Sequence, residues 1–154
     1  MSLHSVAMGG MRSVSQIAIT HTLTFQKDQN GLSVAKQLME ASASGAPVVD
    51  SKSRFLGFIS EFDVLTACEQ GRDISQLTAE ELMVPDRQAI RDSTSIIDAV
   101  RIMKTQHLLV LPVEKDGVVL GSLTRQDLLR GWLQQGLGEK VSTAIQKEVK
   151  RGDP

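Results

Sequence analysis

Leu56-Gly57-Phe58-Ile59-Ser60-Glu61-Phe62-Asp63-Val64-Leu65 and Leu120-Gly121-Ser122-Leu123-Thr124-Arg125-Gln126-Asp127-Leu128-Leu129 write one pattern twice. Gly57 and Gly121 are 64 residues apart, and so are Asp63 and Asp127. Each stretch opens with a leucine and a glycine, passes two residues (Phe58-Ile59 or Ser122-Leu123) to a hydroxyl residue, and places an aspartate three positions later. Ser60-x-x-Asp63 and Thr124-x-x-Asp127 therefore mark points where a strand gives way to a helix. The hydroxyl accepts a backbone N–H of the new helix, and the carboxylate reaches back.

The repeat extends upstream in the same order. Leu32-x-x-Ala35-x-x-x-Met39 is matched by Ile96-x-x-Ala99-x-x-x-Met103, with both Ala and Met spaced by 64. Gly45-Ala46-Pro47-Val48-Val49-Asp50 is matched by Leu111-Pro112-Val113, with the prolines 65 apart. The one-residue offset falls in a turn, where length changes are tolerated. Leu32, Ala35, Leu38 and Met39 share one helical face, as do Ile96, Ala99, Val100 and Met103. Asp50-Ser51-Lys52-Ser53 reads as a hairpin turn, and Asp116-Gly117 as a tighter one.

Each copy thus reads as helix, strand, turn, strand, helix. Self-similarity at this period decides architecture before local propensity does. Neither copy is long enough to bury its helices and sheet alone, so one cooperative unit is expected. The predicted boundaries are a flexible N-terminus at 1–14, a first repeat at 15–72, a linker helix at 73–83, a second repeat at 84–136 and a tail at 137–154. Thr78-x-x-Glu81 caps the linker helix, which Val84-Pro85-Asp86 ends. In the tail, Val141, Ile145 and Val149 mark an amphipathic helix.

Composition excludes several function classes. Seventeen Lys and Arg against eighteen Asp and Glu leave a net charge of −1, without the basic face of a nucleic-acid or anionic-membrane binder. Four Phe, one Trp and no Tyr give no stacking platform for single strands. Lys140, Lys147, Lys150 and Arg151 are interrupted by Glu139 and Glu148 and read as a solvated face. No apolar run reaches a membrane span, and a single cysteine forms no internal disulfide, so a cytoplasmic protein is expected. Cys68 reads as a buried structural thiol. His4, His21 and His107 are dispersed without metal-ligand spacing, and His107 reads as core-edge or exposed. No nucleophile–base pair or Gly-x-x-x-x-Gly-Lys-Ser/Thr loop points to an enzyme.

Taken together, Gly45-Ala46-Pro47-Val48-Val49-Asp50, Gly57-Phe58-Ile59-Ser60-x-x-Asp63, Leu111-Pro112-Val113 and Gly121-Ser122-Leu123-Thr124-x-x-Asp127-Leu128 resemble a tandem pair of CBS (cystathionine-β-synthase) domains, a Bateman module, over roughly residues 15 to 135. The resemblance implies a mixed α/β fold in which two β-α-β-β-α units pack about a pseudo-twofold axis, leaving two clefts. It implies an adenosine-containing ligand in those clefts (AMP, ADP or ATP), no required cofactor, and pairing into a homodimer that signals to an unidentified regulated protein.

By the same resemblance, Asp127 and Asp63 accept ribose hydroxyls, Thr124 and Ser60 contact phosphate, and Leu111, Pro112, Ala46 and Pro47 line the clefts. A helix N-terminus suits phosphate and a carboxylate suits a diol. Arg125 after Thr124 offers a guanidinium to phosphate, whereas Glu61 after Ser60 repels it, so the Asp127 cleft is the favoured one. The family's threonine ahead of the first helix falls at Ala89 in the second copy and at Thr24 or Phe25 in the first. The rival expectation is an interaction scaffold with degenerate clefts, in which Ser/Thr-x-x-Asp is only a cap.

Overall fold

The computed structural model describes residue 6 and residues 8–134. The expected tail helix at 139–150 lies outside the described residues.

Each repeat builds a three-stranded sheet. In the first, β1 (Phe25–Gln26) runs parallel to β2 (Gly45–Val49), which pairs antiparallel with β3 (Phe55–Ser60). In the second, β4 (Ile90–Arg91), β5 (Val110–Lys115) and β6 (Val118–Thr124) repeat that order and those directions. Even the irregularity is copied, since both hairpins shift register, between Val48 and Val49 and between Val113 and Glu114. The second turn is made by Asp116 and Gly117, both at positive φ (51° and 80°), the conformation a two-residue hairpin requires.

Each helix begins at a capping residue. In the first copy, α1 (Gly31–Glu40) starts at Asn30, whose side chain accepts the Leu32 N–H at 2.9 Å, and α2 (Glu61–Glu69) starts at Ser60. Next, α3 (Ala79–Leu82) carries the Thr78–Glu81 capping box. The predicted 73–83 linker is not one helix, because Leu77 is extended and separates α3 from a 3-10 turn at Ile74–Gln76. In the second copy, α4 (Ile96–Gln106) starts at Ser95, and residues 125–134, here α5, are helical after Thr124.

Two cores result, and each borrows from the other copy. Phe25, Val34, Leu38, Val48, Ile59 and Val64 form the first core, joined by Ala79 and Leu82 from the segment leading into the second copy. Ile96, Ala99, Met103, Leu111, Leu123 and Leu128 form the second, joined by Val14 and Ile17 from ahead of the first. Reciprocal backbone pairs fasten the exchange. Val84 bridges to Phe58 on β3, and His21 bridges to Ser122 on β6. Each repeat's core is thus completed by residues outside its own helices and sheet.

The exchange corrects the sequence boundaries. Residues 8–14, expected to be part of a flexible terminus, pack on the second repeat: Gly9 and Gly10 are buried, and a Cβ on Gly10 would stand 2.5 Å from the Trp132 ring. The Trp132 indole N–H donates to the Val6 carbonyl at 2.7 Å. Two side-chain expectations also change. Cys68 is exposed, because the buried stripe of α2 runs through Val64 and Ala67. On α1 the buried residues are Gly31, Val34 and Leu38, so Leu32 and Met39 face outward, whereas Ile96, Ala99 and Met103 of α4 are buried.

Candidate functional site

The site grows from the exchange of lead-in segments. Gly121, at φ 147°, lies against the His21 carbonyl with no room for a Cβ, so the chain at 20–23 can lie along β6. The Ser122 N–H donates to the His21 carbonyl at 2.8 Å and holds it there. Between this segment and the first repeat lies a cleft of about 460 Å³. Its walls are Thr20, His21, Thr22 and Leu23 of the lead-in segment, Ala41 to Ser44 with Gly45 at the start of β2, and Val110, Ser122 and Thr124 of the second sheet. Five hydroxyl residues line it, namely Thr20, Thr22, Ser42, Ser44 and Thr124, besides Ser122.

Ser122 stands apart from the other five. It is 3% exposed, and its Oγ has no hydrogen-bond partner among the described residues. A buried hydroxyl without a partner costs about 1–3 kcal/mol, so native structures retain few of them away from functional sites.

Thr124 opens α5 and also faces the cleft. Its N–H donates to Asp127 Oδ2 at 2.8 Å and its hydroxyl to the same oxygen at 3.0 Å, while the Asp127 N–H donates back to Oγ1 at 3.3 Å. This is a complete capping box. Asp127 is 2% exposed; its Oδ1 accepts from Arg130 Nη1 at 3.0 Å, and the imidazole Nε2 of His21 stands 3.5 Å from Oδ2. Burial pushes its carboxyl up, but the Thr124 N–H and hydroxyl, then Arg130 and His21, outweigh it and hold Asp127 below the usual carboxylate range. The carboxylate is anionic and already engaged.

The first motif closes in the same way. Asp63 Oδ2 accepts from the Ser60 N–H at 2.7 Å and from its hydroxyl at 2.9 Å, and Ser60 Oγ accepts the Asp63 N–H at 3.2 Å. Asp63 is half-buried beside a smaller cavity of about 190 Å³ shared with Gln70, Arg72 and Glu81. The residue equivalent to Ser122 in this copy is Phe58, whose ring lies 2.5 Å from where a Cβ on Gly45 would stand. A ring occupies the position that holds a hydroxyl in the second copy.

Of the sequence-predicted residues, Thr124 alone lines the hydroxyl-rich cleft. Ala46, Pro47, Leu111 and Pro112 are buried within β2 and β5. Arg125 lines a separate groove with Trp132, because one residue along a helix turns the side chain by about 100°. Ser122, Thr20, Thr22 and His21 were missed as site residues. A hydroxyl at Ser122 against a phenylalanine at its equivalent was the available signal.

A family model described as the CBS domain matches residues 14–70 and again 79–133. The chain belongs to the CBS-domain family, as a tandem pair. A 17.7 kDa uncharacterized protein of Acidianus ambivalens is 31% identical over 121 residues, covering 78% of this chain and 73% of that one. The crystal structure of CBSX2 in complex with AMP is 26% identical, with a TM-score of 0.68 over 79% of this chain and 96% of that one. Arabinose 5-phosphate isomerase KdsD of Pseudomonas aeruginosa is 27% identical over 104 residues, 65% of this chain but 32% of the enzyme. The mixed α/β fold of two CBS repeats is thereby established. No helix among the described residues is long and apolar enough to cross a membrane.

Proposed function

We propose that this chain is a regulatory module that binds one adenine nucleotide (AMP, ADP or ATP) in the cleft beside Ser122 and reports its presence through the geometry of a homodimer. The observation that carries the reading is the buried Ser122 hydroxyl, unpartnered among the described residues, on a residue that lines a cleft whose walls come from both repeats. AMP bound to CBSX2, a relative of the same fold, supports the ligand class. Hydroxyls of Thr20, Thr22, Ser42 and Ser44 suit the polar edges of a nucleoside, and the α5 N-terminus at Thr124 suits its phosphate. The proposal requires no bond to be made or broken.

A ligand bridging the lead-in segment and the first repeat favours whichever arrangement closes the cleft, by no more than its affinity difference between arrangements. One binding site per chain is expected, because Phe58 replaces the hydroxyl in the other copy. Titration calorimetry against AMP, ADP, ATP and S-adenosylmethionine tests this: heat with a stoichiometry of one per chain supports it, and silence across the panel overturns it.

One observation favours a second reading, an interaction scaffold. Both motif carboxylates are engaged by their own helix caps, and Asp127 by Arg130 as well. On that reading the melting temperature is unchanged by every nucleotide, because a ligand stabilises only what it binds.

A further inference from the structure

Among the described residues that line the cleft of about 460 Å³, His21 is the single titratable side chain; the others are serine, threonine, alanine, glycine, leucine and valine. A nucleotide phosphate with a second pKa of about 6 carries close to two negative charges at neutral pH. Taking that charge out of water into a neutral cleft is unfavourable without a countercharge. The N-terminus of α5 supplies about half a positive charge, which offsets only part of it. Arg125, the cation that the sequence offers beside Thr124, lines a different groove.

The geometry sets His21 at the end of the cleft where α5 begins. Its carbonyl accepts the Ser122 N–H at 2.8 Å and lies against Gly121, which fixes the backbone. Its side chain is half-exposed, and Nε2 stands 3.5 Å from Asp127 Oδ2, the same oxygen that accepts the Thr124 N–H and hydroxyl. Imidazole and the first turn of α5 thus converge on one carboxylate oxygen. The charged groups facing the ring come from α5: Asp127, and behind it Arg130, which donates to the far oxygen Oδ1 at 3.0 Å. The other cleft walls offer no charge, neither Val110 and Ser122 of the second sheet nor residues 41–45. Asp127 is held below the usual carboxylate range, so it stays anionic throughout the neutral region. Facing a phosphate across a neutral imidazole, it is a like charge that opposes binding; across an imidazolium, both anions are attracted to the ring between them.

We infer that His21 is the phosphate-recognising residue of the cleft and makes nucleotide binding proton-dependent: protonated, it pairs with the phosphate and selects nucleotides over nucleosides, and neutral, it loses that preference. Histidine is the side chain whose charge changes between pH 5 and 8, so the selection operates across the physiological range. The inference rests on the nucleotide cleft proposed above and names what regulates it.

Calorimetry with AMP and with adenosine at pH 7 and pH 8 tests it, on the unaltered chain, His21→Gln and His21→Lys, each variant first checked for an unchanged melting curve. Over that interval AMP is already close to doubly charged, so the ligand itself supplies little slope. The expected result for the unaltered chain is an AMP affinity that falls about three- to tenfold from pH 7 to pH 8, tenfold being the limit for one coupled proton, with adenosine affinity constant. His21→Gln weakens AMP about tenfold at pH 7, leaves adenosine within about twofold, and shows no slope. His21→Lys, whose charge is constant over that range, binds AMP equally at both pH values. An AMP affinity of the unaltered chain that is the same at pH 7 and pH 8 overturns the inference and leaves the nucleotide cleft standing, and this comparison needs no variant to fold. A slope that survives in His21→Gln overturns it too, because the proton is then taken up elsewhere. Equal losses of AMP and adenosine affinity in His21→Gln make residue 21 a wall of the cleft and not a phosphate contact, which also overturns it. Absence of heat with AMP and adenosine alike in the unaltered chain overturns the nucleotide cleft itself.

Discussion

Ser122→Ala separates stability from binding with opposite signs. The hydroxyl is buried and has no partner among the described residues, so the free protein bears a desolvation cost of about 1–3 kcal/mol. Alanine keeps the Cβ, and the backbone N–H that holds the His21 carbonyl is untouched. Part of the gain is lost to the small gap the oxygen leaves, so the net stabilisation without ligand is about 1 kcal/mol. In a domain of this size that raises Tm by about 2–4 °C. With nucleotide the balance reverses. Losing one hydrogen bond worth about 0.5–1.5 kcal/mol weakens binding about 2- to 12-fold. Urea denaturation without ligand and calorimetry with AMP measure the two effects on one pair of proteins. A destabilised Ser122→Ala with undiminished AMP affinity would refute the reasoning, because the hydroxyl would then have a structural partner and no ligand.

Other substitutions probe the caps and the exchange of segments. Asp127→Ala leaves the Thr124 N–H and Arg130 without their acceptor, so it should cost about 2–4 kcal/mol, against about 1 kcal/mol for the half-buried Asp63→Ala; paired urea melts give both values. Asp127 has a depressed pKa in the folded chain, so its carboxylate contributes stability above the unfolded value of about 3.9 and loses it as pH falls through the folded value. Asp127→Asn should therefore show a flatter loss of stability below about pH 4 in denaturation curves taken across that range. Gly121→Ala drives a Cβ into the His21 carbonyl and should cost about 1–3 kcal/mol while weakening AMP binding, since the lead-in segment forms a cleft wall. Gly10→Ala should shift the emission of Trp132, the single tryptophan, toward longer wavelength as the N-terminal turn leaves the indole.

The fold was legible because its signals are local and doubled. Ser60-x-x-Asp63 and Thr124-x-x-Asp127 write their capping boxes within four residues, and Asp116-Gly117 writes its turn within two. What could not be read was where lead-in segments dock, since residues 13–24 lack regular periodicity and their pairing with β6 spans about a hundred positions. That blind spot placed residues 8–14 outside the fold and hid Thr20, Thr22 and His21. Arg125 misled for a geometric reason: adjacency to Thr124 in sequence becomes a different face once α5 begins. Leu32 and Met39 fit a helical stripe as well as Val34 does, and only packing shows which side is buried. The engagement of Asp127 by Arg130 was open to an i, i+3 reading of the sequence.

On the proposed function a nucleotide sits in the cleft between the lead-in segment and the first repeat, in contact with Ser122. A crystal structure of the protein grown with AMP tests it most directly. One adenosine per chain is expected, within hydrogen-bond distance of Ser122 Oγ and with its phosphate near the Thr124 end of α5. AMP seated instead beside Asp63, or a Ser122 hydroxyl still unpaired with AMP bound elsewhere, would contradict it.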